Sequence, residues 1–128
     1  MININTLLDG SFVKILYKGE GKVVDRCRIK KEELKDKDVE ITGIPINSEI
    51  LREEFQFEEP LIRRGYTMST DMIKSIESSG KCFVLTATMK SGGYSLQIDA
   101  DGITISNTFI EYAHQLQGVV ASLTGVII

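Results

Sequence analysis

The strongest periodic pattern in the chain lies near its C-terminal end, before Gly125. Apolar residues recur there at steps of three and four, which is the spacing of one face of an α-helix. They are Phe109, Tyr112, Ala113, Leu116, Val119, Val120 and Leu123. Ser106 or Asn107 is a suitable N-cap, and Gly125 is a suitable C-terminal stop. The pattern therefore predicts a terminal helix with one apolar stripe.

The segment before this helix has the pattern of β-strands. Residues 82–89 are β-prone, and residues 94–99 alternate between apolar and polar side chains. Turn residues at 91–93 and 100–102 separate these runs from each other and from a third run at 103–105. We predict an antiparallel three-stranded meander and expect the apolar stripe of the helix to cover one of its faces.

The first 46 residues contain three short β-prone runs. These runs cover residues 12–17, 23–29 and 39–46, and the charge-rich stretch 30–38 between the last two is a solvated loop or one helical turn. Short strands at this spacing predict a small curled β-sheet or half-barrel.

A short helix is predicted after Pro45, which cannot donate to a β ladder and so ends the third strand. Asn47 or Ser48 can cap a helix over residues 49–54. Its buried side would consist of Ile50, Leu51 and Phe55.

The stretch 61–81 has a weaker pattern. Residues 61–68 are compatible with a strand, and residues 69–71 could cap a brief helix. That helix would turn Met72, Ile73 and Ile76 inward.

Together these elements predict an α+β fold. It has a small N-terminal curled β-sheet or half-barrel, a short helix, and an antiparallel β-meander covered by a C-terminal helix. We divide the chain into an N-terminal β unit, residues 1–46, and an α+β unit, residues 47–128, within one compact domain.

Charge and composition exclude several classes of function. The 128 residues carry a net charge of −3, which argues against broad electrostatic binding to nucleic acid or an anionic membrane. No apolar run reaches the roughly 18 residues of a membrane helix, and a signal-peptide pattern is missing. We expect a cytoplasmic protein. The apolar stretch 126–128 should pack or pair with another chain.

The two cysteines, Cys27 and Cys82, have no CxxC spacing and lie in apolar, strand-like runs. This context predicts buried free thiols in place of a disulfide or a metal pair. The chain therefore carries no sequence signal for a metal or another cofactor.

His114 is the only histidine of the chain, and no activated nucleophile or acid cluster accompanies it. One interpretation makes it a half-buried or surface histidine bonded to a neighbour. The other makes it part of a polar contact strip with Tyr112, Gln115 and Gln117. We expect no catalytic residue in either case.

Arg63 and Arg64, followed by Tyr66, form the most suggestive basic cluster. Guanidinium groups suit phosphate, and an aromatic ring can stack on a base. The alternative is solvated surface charge.

Two motifs carry a resemblance to a known group of proteins. Residues 112–117 (YAHQLQ), followed by Leu123-Thr124-Gly125, resemble the ending "Y-V-H-Q-L-Q-N-L-Y-x-A-L-T-G" of small uncharacterised proteins from bacteriophages and mobile elements of gut bacteria. Residues 44–51 (IPINSEIL) are similar to their "I-P-L-T-x-E-I-L" segment. The chain departs from the pattern at residues 118–120 and 126–128. The resemblance implies a phage or prophage origin and the same order of elements, and no reaction.

These observations give three hypotheses of function. The first is a non-enzymatic phage-derived protein that counteracts host defence by sequestering a nucleotide signal, of cyclic-nucleotide type, at a homo-oligomer interface, or by binding a host protein. Its ligand contacts would be Arg63, Arg64, Tyr66, Tyr112, His114, Gln115 and Gln117. The second is a phage accessory or structural interaction module without a small ligand. The third is an enzyme of the phosphodiesterase or nuclease type.

Overall fold

The structure is a computed structural model that describes residues 2–59 and 71–128. It contains seven strands, three α-helices and one 3-10 turn in these ranges. In chain order they are the turn Ile4–Thr6, β1 (Phe12–Tyr17), β2 (Lys22–Arg28), α1 (Lys31–Leu34), β3 (Val39–Gly43), α2 (Ser48–Glu53), β4 (Met72–Ser78), β5 (Lys81–Lys90), β6 (Gly93–Ala100), β7 (Ile103–Ile110) and α3 (Ala113–Thr124). The predicted α+β class is confirmed.

The chain forms two compact units. The first combines Met1–Pro45 with Tyr112–Ile128, and the second is Ile46–Glu111. The second unit is therefore an insertion between the two parts of the first. The first unit ends at Pro45, next to the boundary that we predict at residue 46. The prediction did not include the return of Tyr112–Ile128 to the first unit.

The first unit contains a three-stranded antiparallel sheet in the order β2-β1-β3. The predicted curled N-terminal sheet is thus present, and the charge-rich stretch contributes a single helical turn, α1. Buried apolar side chains on one side of the sheet form the core of this unit. They are Leu7, Val13, Ile15, Ile29, Leu34 and Ile41.

The terminal helix α3 begins later than the sequence pattern predicts. Its N-cap is Tyr112, not Ser106 or Asn107, because Ile103–Ile110 is a strand paired with β6 as far as the Tyr94–Ile110 pair. Six of the eight side chains of this strand are isoleucine, threonine or phenylalanine, residues that favour strands over helices. The predicted stop is confirmed, since Gly125 has φ of +76°.

The packing of α3 is a further correction. The helix belongs to the first unit and contacts β1, whereas the prediction laid its apolar stripe on the meander. Its buried side consists of Ala113, Leu116, Gln117, Val120 and Thr124. Hydrophobic burial is non-directional, so an apolar stripe alone does not specify which sheet it covers.

The second unit contains a four-stranded antiparallel sheet in the order β4-β5-β6-β7. The predicted meander is confirmed and gains β4, where the sequence pattern predicted a brief helix. Seven consecutive residues of β4 pair with β5, and this ladder outweighs the local helical spacing of Met72, Ile73 and Ile76. The predicted strand at 61–68 and most of the predicted cap at 69–71 lie outside the described residues.

The short helix α2 forms as the sequence predicts. Asn47 Oδ1 accepts a hydrogen bond from the Ile50 backbone N–H at 2.8 Å, which is an N-cap interaction. Ile50, Leu51 and Phe55 are buried, as predicted. Ile46 and Phe57 are buried as well. Alternate positions of the sheet supply further buried side chains, namely Met72, Phe83, Leu85, Ala87, Tyr94, Leu96, Ile98 and Ile110.

Both cysteines are free thiols, and the expectation that both are buried is wrong for Cys82, which is exposed. Cys82 lies directly after a turn, opposite Glu77, on the side of β5 that faces away from the buried positions. Cys27 is half-buried, and burial raises the pKa of its thiol. Within residues 2–59 and 71–128, none of the helices has the length and apolar character needed to cross a membrane.

Candidate functional site

The predicted ligand residues divide into two groups. Arg63, Arg64 and Tyr66 lie outside the described residues. Tyr112, His114, Gln115 and Gln117 follow one another at the start of α3, within the first unit. The nucleotide-sequestering hypothesis therefore stays a prediction, and the geometry of its second group can be described.

Gln117 is a buried structural residue and does not belong to a surface strip. Its Oε1 accepts from the Phe12 backbone N–H at 2.7 Å. Its Nε2 donates to the backbone carbonyls of Gly10, at 2.8 Å, and Ile128, at 3.1 Å. The side chain is fully buried, so its amide is committed to backbone partners. The sequence contained the signal for this, because Gln117 lies four residues after Ala113 and three before Val120, on the buried stripe itself.

Gln115 is exposed, and its side chain helps to cap the N-terminus of α3. Its Oε1 accepts from the Tyr112 backbone N–H at 3.0 Å, while its own backbone N–H donates to the Tyr112 carbonyl at 3.1 Å. These reciprocal bonds satisfy polar groups that a helix end leaves without intrahelical partners. A ligand that uses this amide would compete with the helix cap.

Tyr112 and His114 stack on each other beside Gly43. Their ring centroids are 5.8 Å apart and the ring planes are inclined by 21°. A Cβ atom on Gly43 would lie 2.8 Å from Tyr112 Cδ1 and 2.9 Å from His114 Cε1. The absence of a side chain at the end of β3 is what allows the two rings to approach the strand.

The imidazole of His114 is held in its neutral form. Nδ1 is buried and has no hydrogen-bond partner among the described residues. Burial lowers the pKa of His114 below its ordinary value of 6.5, because desolvation penalises the charged form. This geometry suits a ring that contributes apolar contact to the stack more than a group that exchanges protons near neutral pH.

No constellation for metal or acid–base chemistry forms in the part of the chain that the structure describes. Groups of three or more His, Cys, Asp or Glu suited to a metal ion are missing there. Asp99 accepts hydrogen bonds from Thr104 Oγ1 at 2.6 Å and from Gln97 Nε2 at 3.1 Å. These bonds fix its position on the sheet surface.

A groove of about 650 Å³ lies beside α1 in the first unit. Both signs of charge line it, with Lys31, Lys35 and Lys37 set against Glu32 and Asp36. Tyr112, His114, Gln115 and Gln117 are not part of its described lining. Its charges nearly balance, so it offers no clear preference for an anionic ligand.

The most distinctive surface of the second unit is the edge strand β7. Ile103 is 71% exposed, Ile105 44% and Phe109 51%. They make up three of the seven large apolar side chains that are exposed in residues 2–59 and 71–128. The sequence interpretation missed this surface because it assigned Phe109 to the buried stripe of the helix.

The opposite edge of the same sheet is different. β4 carries Lys74 and Glu77, and Ile73 exchanges two backbone hydrogen bonds of 2.8 Å with Glu58. Charged side chains and short additional pairing are the usual protection of an edge strand. β7, with the sequence ITISNTFI, contains neither a charged residue nor proline, and a β-bulge interrupts its pairing with β6 at Ile105.

Comparisons with family models, with curated proteins and with solved structures find no match. Function is therefore inferred from the geometry of the two units.

Replacing Gln117 with methionine should lower the free energy of unfolding by at least about 2 kcal/mol. Methionine fills a similar volume but leaves buried backbone groups without their amide partners, at about 1–3 kcal/mol for each unsatisfied group. Chemical denaturation measures the change. Ser122→Ala, on the exposed side of the same helix, is the control and should change stability little. Equal effects of the two variants would contradict a structural role for the Gln117 amide.

His114→Gln should reduce the loss of stability on acidification. As the pH falls below 6.5, the unfolded chain takes up a proton that the folded His114 resists, because its folded pKa is lower. The wild type therefore loses stability below that pH, whereas above it the His114 contribution is constant. Denaturant midpoints at about pH 7.5 and 5.5 give the comparison. If both chains lose the same stability between these values, the histidine does not contribute.

Proposed function

We propose that the protein is a non-catalytic protein–protein interaction module that binds an extended, uncharged segment of a partner by strand addition at β7. The observation that carries the proposal is the exposed apolar edge formed by Ile103, Ile105 and Phe109. A resemblance of the C-terminal motif to phage proteins supports action in the cytoplasm of a bacterial host. This is the second of the hypotheses drawn from the sequence.

The backbone of β7 is suited to strand addition. Seven of its eight residues pair with β6 on one side, with a β-bulge at Ile105, and among the described strands β6 is its neighbour in the sheet. Strand addition uses main-chain hydrogen bonds for affinity and alternate side chains for selectivity. An added strand would bury apolar area on Ile105 and Phe109, and apolar burial stabilises by about 25 cal/mol per Å².

The contrast between the two edges supports a binding role for β7. The sheet protects β4 with Lys74, Glu77 and the pairing to Glu58, so the same unit has the means to protect an edge. β7 has a β-bulge at Ile105 but no charged side chain, and an exposed apolar edge promotes aggregation. A partner strand that covers β7 is the best explanation for an apolar edge at this position.

The side chains near the stack of Tyr112 and His114 favour a non-catalytic protein. The imidazole is desolvated and kept neutral by burial, and Gln115 and Gln117 hydrogen-bond to the backbone. General acid–base catalysis needs a group with a pKa near the working pH and within reach of substrate. The neighbours of His114 do not supply that arrangement among the described residues.

Strand addition is tested with a soluble fluorescent peptide of alternating valine and threonine, flanked by lysines. Fluorescence anisotropy should increase saturably with the full chain, and Ile105→Lys should weaken binding about tenfold or more, which is about 1.4 kcal/mol. A lysine on an edge opposes pairing because its charge would have to be desolvated.

Two controls make the result specific. Ser75→Lys adds the same charge to β4, at the other edge of the sheet, and should leave binding unchanged. The same peptide with N-methyl groups on alternate amides should not bind, since it cannot donate to a strand. Equal binding of both peptides, or equal loss in both lysine variants, would overturn the proposal.

A further inference from the structure

We propose that the first unit binds a single-chain zwitterionic amphiphile, of the alkylphosphocholine or lysophospholipid class, in a two-lobed groove along the N-terminal turn, α1 and β3. One lobe has a volume of about 370 Å³, and the other is the groove of about 650 Å³ beside α1. Ile4, Leu34 and Lys37 line both lobes, so the lobes adjoin and one ligand can occupy both. This site lies in the first unit and is separate from the strand addition proposed for the second.

The smaller lobe is apolar. Apart from Asn3 and Lys37, its described lining consists of aliphatic side chains, namely Ile2, Ile4, Leu34, Val39 and Ile41. Two of them belong to the core of the unit, while Ile2, Ile4 and Val39 pack against that core and are only half-buried. An alkyl chain in this lobe would remove the exposed part of these three side chains from water, which favours binding.

The larger lobe carries charges of both signs. They belong to Lys31, Glu32, Lys35, Asp36 and Lys37. None of these five side chains forms a salt bridge with another described residue, although Lys18 pairs with Asp38 and Glu40 in the same unit. Cations and anions that do not pair with each other are available to a ligand that carries both charges.

The order of groups along the groove matches the order along such an amphiphile. In an alkylphosphocholine the phosphate stands between the alkyl chain and the quaternary ammonium. Lys37 lines both lobes, and its Nζ lies 5.7 Å from the centroid of the Tyr17 ring, so a cation is present where the phosphate would lie. Glu32 and Asp36 line the larger lobe alone and would face the ammonium.

A head group with one charge fits the larger lobe less well. An anionic head group attracted to the lysines would also approach Glu32 and Asp36, and a cationic one would approach the lysines. Like charges at close range repel each other, and the repulsion grows where water is partly excluded. A zwitterion can place each of its charges near the opposite charge of the protein.

Isothermal titration calorimetry of the full chain with dodecylphosphocholine, below the concentration at which it forms micelles, tests the proposal. Binding should saturate at one molecule per chain. Dodecyl phosphate and dodecyltrimethylammonium carry the same alkyl chain with one half of the head group each. Both should bind about fivefold or more weakly, which is about 1 kcal/mol. Decylphosphocholine should also bind more weakly, because each methylene group lost from the groove lowers affinity by up to about fourfold.

One variant tests the apolar lobe. Ile4→Ser should weaken binding of dodecylphosphocholine about fivefold or more, which is about 1 kcal/mol. Ile127→Ser is the matched control, because Ile127 is 51% exposed in the same unit and does not line the described groove. Circular dichroism checks that each variant folds.

A double variant tests the charged lobe even if Ile4→Ser fails to fold, because both of its lysines are exposed. Lys35→Glu with Lys37→Glu should reverse the preference, so that dodecyltrimethylammonium binds more tightly than dodecylphosphocholine. A general loss of structure would weaken both ligands alike. Lys22→Glu, on β2 outside the described groove, is the control and should keep the wild-type order.

Four outcomes would overturn this inference. They are the absence of saturable binding below the micelle concentration, equal affinity for dodecyl phosphate and dodecylphosphocholine, equal effects of the groove variants and their controls, and binding to phosphatidylcholine vesicles without binding to the free amphiphile. The last result would indicate a surface for a bilayer in place of a site for one molecule. The peptide experiment at β7 is independent of all four.

Discussion

The amide of Gln117 joins α3 to the backbone of two other segments, residues 10–12 and Ile128. Its bonds to Gly10 and Phe12 span 107 and 105 residues, and a third bond reaches Ile128. Apolar burial would allow α3 to slide or rotate on the first sheet, whereas a buried amide with directional bonds accepts only one position. Because an unpaired buried amide is costly, this interaction specifies where the helix lies as well as contributing to stability.

That constraint shapes the order of the whole chain. With α3 fixed in the first unit, residues 46–111 must leave the unit and return to it. The two crossing points are tied to each other within the first unit, since the Ala113 backbone N–H donates to the Ile44 carbonyl at 2.9 Å. Insertions are tolerated where the ends of the inserted segment are close together. The second unit then has to bury its own apolar residues, which include Ile50, Leu51 and Phe55.

Sequence alone predicts the elements whose signals are local. Asn47 caps α2 and Gly125 ends α3 because each interaction involves residues a few positions away. Pairing is not local, so the sequence pattern wrongly predicts helix for β4 and for the part of β7 after Ile105. The candidate site was predictable only in part. The polar amide of Gln117 suggests a surface residue, whereas the spacing of Gln117 from Ala113 and Val120 places it on the buried stripe. The exposed edge of β7 was not predicted, because the sequence pattern does not determine where the strand ends and the helix begins.

The two edge strands of the second sheet, β4 and β7, carry different side chains. Both edge strands have β-branched residues that pair with their inner neighbours, such as Ile73 opposite Thr86 and Thr108 opposite Leu96. Their charges differ, because β4 carries Lys74 and Glu77 and β7 carries no charged residue, which makes β4 the poorer template for another strand. The proposed addition of another strand at β7 would account for the lack of charge on this edge, since a charged side chain there would have to be desolvated on pairing.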